Sequence, residues 1–366
     1  MLGTLMKPYR SIAVAGSHGK TSTTSISASI FNAAGLSPTY VIGGQVLSIG
    51  RSSNLGEGNH IIVEADESDG SFLHLQPEVA IITNIDNDHL NFYDFSQAKL
   101  NQSFVSFAEN LPFYGHLILN LDDMNIRKIE KNIHRKKISF GFTDINQYQI
   151  INVELMQGMQ KFQLFDHLSR KLYKFTTSLS GKHNLYNLAA AICLALEEGI
   201  SISNIKKGLR EFKGVGRRFE ISEVTVANTS KILVDDYGHH PAEILATFLA
   251  VKEKFPKKRI CMIFEPHRFS RTQQLFHDFV KVLSKIDQLL LLDIYPASEA
   301  PIQGVSSKKL IVGVNQSGGN GVYIPTHLVQ KWIAKHAQEF DILITQGAGN
   351  ISQLNNSIQK KWALKK

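Results

Sequence analysis

Ser11-Ile12-Ala13-Val14-Ala15-Gly16-Ser17-His18-Gly19-Lys20-Thr21-Ser22-Thr23-Thr24 carries a short β-prone apolar run into a glycine turn, then into Lys-Thr and a helical pattern. A strand that feeds a helix through such a turn aims backbone N–H groups and the helix N-terminus at one point, where a phosphate can bind. Lys20 is long enough to reach β- and γ-phosphates, and the Thr21 hydroxyl suits Mg²⁺. The general P-loop spacing would place its first glycine at Val14; here only Ser17 and His18 separate Gly16 from Gly19, so the loop is a shorter variant.

Two further apolar runs end in polar clusters. Ile61-Ile62-Val63 leads into Glu64, Asp66, Glu67 and Asp69, and Ile81-Ile82-Thr83 leads into Asn84, Asp86, Asp88 and His89. Ligands of α/β proteins gather at the C-terminal ends of parallel strands. Carboxylates at that edge suit a hard, oxygen-preferring cation such as Mg²⁺. His89, ending a third strand beside two nucleotide-type strand ends, is expected to serve a metal or a phosphate.

Outward from these motifs the chain alternates. Ser11–Ala15, His60–Ala65, Val79–Asn84 and His116–Leu121 read as strands, with helical spacing over Thr21–Ala34 and Gln97–Glu109. The stretch Lys137–Thr177 departs from this, with Ile151–Met156, Phe162–Phe165 and Leu172–Phe175 reading as antiparallel strands. Helix returns at Asn184–Gly199 and near Ser203–Phe212, with Ser203 a candidate cap. After Gly214-Val215-Gly216 the alternation restarts: strands Ile232–Asp235, Ile260–Phe264, Gln288–Asp293 and Asp341–Thr345, and helices Pro241–Lys254, Thr272–Lys285, Thr326–Gln338 and Ile351–Trp362. The expected fold is α/β: a central P-loop-type, mostly parallel sheet domain with an added antiparallel portion over residues 1–216, then a smaller Rossmann-like α/β domain over 217–366.

Composition agrees with a folded chain of this kind. The 366 residues are enough for two domains at ~150 residues each, and 43% hydrophobic content excludes a disordered or collagen-like chain. The strongest apolar run, Leu289–Leu292, stops at Asp293, far short of the ~18 residues of a membrane span. Met1–Arg10 lacks the apolar stretch of a signal peptide. Cys193 and Cys261 sit in apolar surroundings and read as buried thiols, so a cytoplasmic protein is expected. The net charge of +8 favours anionic partners but is spread along the chain, and no nucleic-acid partner is expected.

Gly16-Ser-His-Gly-Lys-Thr21, Glu64-Ala-Asp-Glu-Ser-Asp69 and Asn84 through Asp88-His89 together resemble the Mur ligases, the ATP-dependent amide-forming ligases of peptidoglycan precursor synthesis. Gly181-Lys-His-Asn184-Leu-Tyr-Asn187, Gly216-Arg-Arg-Phe219, Asp235-Asp-Tyr-Gly-His-His-Pro241, Pro266-His-Arg-Phe-Ser-Arg-Thr272 and Gln346-Gly-Ala-Gly-Asn350 extend the resemblance over nearly the whole chain. Phe72-Leu-His-Leu75 and the Asp-Tyr-Gly-His-His-Pro segment resemble the members that add L-alanine to UDP-N-acetylmuramate.

The resemblance implies ATP and Mg²⁺ as cofactors, UDP-N-acetylmuramate and L-alanine as substrates, and an acyl-phosphate intermediate. It implies that Gly16, Ser17, His18, Gly19, Lys20, Thr21, Ser22 and Asn84 cradle the ATP phosphates. Thr21, Glu64 and His89 would hold metal. His183, Asn184 and Asn187 would lie on the adenine side, Asp236 at the ribose, Tyr237 near the nucleotide, and Arg218 on a phosphate. His239, Arg268 and Arg271 match positions used for the amino acid. Lys20, Glu64, His89, His239, Arg268 and Arg271 would thus carry the chemistry. In two places the chain departs from the family pattern. Asn91 stands where an aspartate is usual, and the chain opens where the family has already passed its UDP-binding domain. The latter implies a fragment, a mis-assigned start or a split gene whose UDP-binding domain is encoded separately. The alternatives are a non-catalytic remnant that binds ATP only and a ligase that recycles murein peptides.

Overall fold

The computed structural model describes residues 1–47, 51–87, 90, 92–156 and 158–363. They form two compact units, Met1–Val215 and Gly216–Lys366.

The first unit is built on one ten-stranded sheet. In spatial order its strands are Lys171–Thr177, Met159–Asp166, Tyr148–Met156, Lys136–Gly141, His116–Asn120, Val79–Ile82, Arg10–Ala15, His60–Glu64, Thr39–Val46 and Arg51–Asn54. Pairing is parallel from Tyr148–Met156 through to Thr39–Val46, and antiparallel at both margins. The antiparallel portion therefore continues the main sheet. Lys136–Gly141, expected to depart from the parallel pattern, pairs parallel with His116–Asn120.

Alternation along each central strand sends side chains into two cores. Ile12, Val14, Ile62, Val79 and Ile81 join one, beneath helices Lys20–Ala33, Lys182–Glu197 and Ile202–Glu211. Ala13, Ala15, Ile61, Val63, Ala80 and Ile82 join the other, with Phe104, Phe107 and Ile126 from helices Gln97–Glu109 and Met124–Glu130. The helix Lys20–Ala33 is rich in Ser and Thr, yet almost wholly buried. Thr24, Ser25 and Ser27 bond back to the preceding turn, Ser25 Oγ donating to Thr21 O at 2.7 Å and Ser27 Oγ to Thr23 O at 2.8 Å, while Ser29 Oγ donates to Gly208 O of helix Ile202–Glu211 at 2.9 Å. The helix Ile202–Glu211 is capped by Ser201, whose hydroxyl accepts from the Asn204 amide, so Ser203 lies inside the helix rather than at its cap.

The second unit holds a six-stranded sheet in the order Glu220–Val226, Thr229–Asp236, Ile342–Gln346, Ile260–Phe264, Gln288–Leu291 and Gly321–Tyr323. It is parallel except for the hairpin that adds Glu220–Val226. Helices cover both faces in the doubly wound manner: Pro241–Lys254, Phe276–Leu283 and Ser307–Gln316 on one, Val329–Lys335 and Ile351–Lys361 on the other. The expected single helix Thr272–Lys285 is broken at Leu275 into Phe269–Gln274 and Phe276–Leu283.

Candidate active site

Three neighbouring parallel strands of the first unit deliver their C-terminal ends to one edge. The register sets Val14 beside Glu64 and Ala15 beside Ile82, so the glycine turn, the acidic cluster and the Thr83-Asn84 corner emerge together. Gly16 takes φ 130° and Gly19 φ 83°. A Cβ at Gly16 would lie 2.1 Å from Thr83 Oγ1, and one at Gly19 would lie 2.3 Å from Asn187 Oδ1. Both positions require glycine for conformation and for space.

Asn84 clamps the turn. Its side chain accepts from the His18 amide at 2.9 Å and donates to the His18 carbonyl at 2.9 Å, while its carbonyl accepts from the Ser17 amide at 3.0 Å. Thr83 Oγ1 adds a bond to His18 O at 2.6 Å. This differs from the expectation that the whole turn offers its amides to phosphate. Ser17 and His18 spend theirs on Asn84, and the Ser17 hydroxyl accepts from the Asp86 amide at 2.8 Å. The His18 ring is 3.1 Å from Asp86 Oδ2. The anion-directed end of the turn is the first turn of the helix opening at Lys20, where helical amides lack intrahelical acceptors. Ser22 follows there, half-buried.

Lys20 folds back over the turn. Its ammonium donates to Gly16 O at 2.7 Å and to Glu67 Oε2 at 2.7 Å, with Ser17 O at 3.4 Å and Asp66 Oδ1 at 3.7 Å. Burial alone would lower the pKa of this ammonium. Glu67, Asp66 and Glu64 outweigh that and hold it above its ordinary value, so it stays charged. Burial dominates at Glu67 and pushes its carboxyl up against the opposing pull of Lys20. Thr21 Oγ1 donates to Glu64 Oε1 at 2.9 Å, and Glu64 Oε2 accepts from the Gly43 amide at 2.7 Å. A hydroxyl and a carboxylate oxygen in contact beside a phosphate-type turn are a donor set that fits Mg²⁺. His89, named with them from the sequence, and Asn91 lie outside the described residues.

The helix Lys182–Glu197 brings its start to the same turn. Asn187 Oδ1 faces Gly19 and accepts from Thr23 Oγ1 at 3.4 Å. Asn184 Nδ2 donates to Ser180 O at 2.7 Å, and the helix is capped by Gly181 at φ 92° without a side-chain bond. Asn184 is therefore no ordinary N-cap. His183, between Lys182 and Asn184, is half-buried.

In the second unit Asp236 ends its strand with both oxygens engaged. Oδ2 accepts from the Phe219 amide at 2.9 Å, and Oδ1 from the Gly238 amide at 2.8 Å and Gln346 Nε2 at 2.7 Å. Its first role is to hold the Asp-Tyr-Gly-His turn in shape. Two guanidinium groups approach the Tyr237 ring, Arg217 at 5.1 Å and Arg218 at 5.0 Å from its centroid. His239 lies edge-on to Tyr237, with ring centroids 5.6 Å apart, and 5.4 Å from the His267 ring. Arg271, 7% exposed, places Nη1 3.3 Å from His267 Nδ1. Arg268 adopts φ 72° at the start of helix Phe269–Gln274, and its buried Nε has no hydrogen-bond partner among the described residues. His239 and Arg271 are thus joined through His267, which stacks on Tyr295. His267 carries no assigned role in the sequence, where its place directly before Arg268, in the motif that also holds Arg271, is the available signal. Glu67 and Thr83 have no such signal, because strand ends show which residues are polar but not which point inward.

Glycine turn, buried lysine and parallel sheet define the first unit as a P-loop-type α/β protein, with a doubly wound second unit. Family descriptions make this specific: the Mur ligase middle domain matches residues 14–195, and the Mur ligase glutamate ligase domain matches residues 217–349. The chain belongs to the Mur ligase family. Among solved structures it is similar to a UDP-N-acetylmuramate–alanine ligase from Thermotoga maritima, at 25% identity and TM-score 0.80, covering 98% of this chain and 76% of that one. A murein peptide ligase from Psychrobacter arcticus shares the fold at 22% identity and TM-score 0.70, over 97% of this chain and 77% of the other. A MurF ligase from Thermotoga maritima in complex with ADP shares it at 18% identity and TM-score 0.73, over 96% and 80%. No helix among the described residues is long and apolar enough to cross a membrane.

Proposed function

We propose that this chain binds ATP and the amino acid of an ATP-dependent Mur ligase reaction, and that the reaction joins L-alanine to UDP-N-acetylmuramate. A carboxylate oxygen of the muramoyl group attacks the γ-phosphorus of ATP, and ADP leaves. The alanine amine then attacks the acyl carbon of the acyl phosphate, inorganic phosphate leaves, and the amine gives up a proton as the amide forms. Lys20 and the helix start hold the transferring phosphoryl group, and fixed positive charge there stabilises the transition state. Thr21 and Glu64 hold Mg²⁺, which when bound neutralises phosphate charge. Asn187 and Asn184 shape the loop on the nucleotide side. In the second unit Arg268 and Arg271 receive the alanine carboxylate, with His239 beside them. A planar guanidinium fork matches a carboxylate where lysine cannot.

The observation that carries the reading is the buried Lys20 ammonium over a glycine turn, with the Thr21–Glu64 pair at its side. The likeness to the alanine ligase of Thermotoga maritima favours alanine as the amino acid. The test is phosphate release from ATP that requires both L-alanine and UDP-N-acetylmuramate. It is run on the chain as it stands and on the chain joined ahead of Met1 to a relative's UDP-binding domain. Release that depends on a peptide in place of alanine would assign the recycling reaction instead. No release from either protein, with ATP still bound, would leave a nucleotide-binding remnant.

A further inference from the structure

Glu67 takes part in none of these steps, yet it is the nearest carboxylate to Lys20. Its side chain is 0% exposed, and its Oε2 lies 2.7 Å from the Lys20 ammonium. Its backbone is pinned: its carbonyl accepts from the Gly70 amide at 3.1 Å and from the hydroxyl of Tyr93, which is itself buried. Oε1 is buried with no hydrogen-bond partner among the described residues. Asp66, by contrast, is 56% exposed and 3.7 Å from the ammonium. An ammonium has three N–H donors. Those of Lys20 face Gly16 O, Ser17 O and Glu67 Oε2, at 2.7, 3.4 and 2.7 Å.

We propose that Glu67 is an intramolecular counter-ion that competes with nucleotide phosphate for Lys20, and so sets how tightly β- and γ-phosphates are held. The inference rests on the nucleotide reading above. A phosphate oxygen reaching this ammonium must displace one of the three acceptors. The two carbonyls belong to the loop and are neutral, whereas Glu67 carries the same sign as the incoming group and is repelled by it. Glu67 is thus the acceptor that is exchanged. The cost of leaving a buried carboxylate without its cation is set against the gain from phosphate. Glutamine at this position keeps the size and an acceptor oxygen but removes the charge.

Calorimetric titration of the wild-type chain and Glu67→Gln with ATP·Mg²⁺, ADP·Mg²⁺ and AMP tests this. Glu67→Gln should bind ATP·Mg²⁺ about tenfold more tightly, the scale of a lost competition for one charged hydrogen bond. AMP, which lacks the phosphates Lys20 reaches, should bind both proteins equally. A general loosening of the fold would not separate ATP from AMP. Unchanged or weaker ATP binding by Glu67→Gln overturns the proposal, and so does an equal gain for AMP. Should the variant fail to fold, the Glu67 carboxyl ¹³C resonance of the wild-type chain decides: it should move on adding ATP·Mg²⁺ and stay with AMP, and a resonance that ignores ATP overturns the idea. ATP binding by neither protein removes the nucleotide reading and this proposal with it. ATP binding unaltered by the substitution removes this proposal alone.

Discussion

Glu198→Gln is expected to destabilise the first unit by about 2–3 kcal/mol at pH 7 without touching nucleotide binding. Glu198 closes the helix Lys182–Glu197, with its side chain 7% exposed, and accepts from Arg10 at 2.9 and 3.3 Å. His60 Nε2 is 3.5 Å away, and Arg10 also pairs with Glu78 at 2.6 Å. Burial pushes the Glu198 carboxyl up, but the hydrogen bonds of His60 and Arg10 overcome it and bring it from 4.5 down to about 2. A carboxyl depressed in the folded state adds stability above its unfolded value, and that stability drains away as pH falls from 4.5 through about 2. A shift of this size corresponds to about 3 kcal/mol at most, and the 30% exposure of Arg10 trims it. Both tryptophans, Trp332 and Trp362, lie in the second unit, so their fluorescence does not report on this change. Native-state hydrogen exchange at strand Arg10–Ala15 does. The difference between wild type and variant should be full at pH 7 and largely gone near pH 2. Arg10 opens the strand that Gly16 follows, so the two ends are roughly 17–20 Å apart and ATP affinity should stay the same. A difference that is as large at pH 2.5 as at pH 7, or absent at pH 7, refutes the reasoning.

Gly16→Ala and Gly35→Ala separate backbone strain from close approach. At Gly35 (φ 76°) a Cβ meets nothing within 4 Å, so a loss of about 1 kcal/mol in chemical denaturation is expected. At Gly16 the Cβ overlaps Thr83 Oγ1, and both a larger loss and impaired ATP binding should be seen; equal losses at the two sites would contradict the packing argument. Glu64→Ala should raise the Mg²⁺ concentration needed for ATP binding while the fold survives, and an unchanged Mg²⁺ titration would exclude Glu64 as a ligand. Arg268→Lys should raise the alanine requirement by about 1.5–3 kcal/mol in kcat/KM, with ATP affinity intact. If ATP binding collapses instead, Arg268 belongs to the nucleotide.

Much of the fold is legible because its signals are local. Ser11–Thr24 announces strand, turn and helix within one segment, and the second unit repeats strand and helix at regular intervals. Thr39–Val46 escapes such reading because Gly43 and Gly44 interrupt its β-prone start, and Arg51–Asn54 is an exposed edge strand without an apolar face. Ser307–Gln316 buries an i, i+3, i+4, i+7 set, Ser307, Leu310, Ile311 and Val314, but only three of these are apolar, and exposed Val312 and the helix-weakening Gly313 blur the pattern. At the candidate site, sequence gives the edge and the residue types. Which of Glu64, Asp66, Glu67 and Asp69 faces Lys20 depends on the turn Glu67–Gly70 and on Tyr93, both set by tertiary packing. The loss of the Ser17 and His18 amides to Asn84 is equally long-range, since Asn84 reaches them from another strand.

The most direct test of the nucleotide site is a calorimetric titration of ATP·Mg²⁺ into the wild-type chain and Lys20→Ala. The Lys20 ammonium is the charged group held over the glycine turn, so its removal should cost about 2–3 kcal/mol, or roughly 30–150-fold in Kd. Equal affinity of the two proteins would contradict the assignment of this turn as the phosphate-binding site.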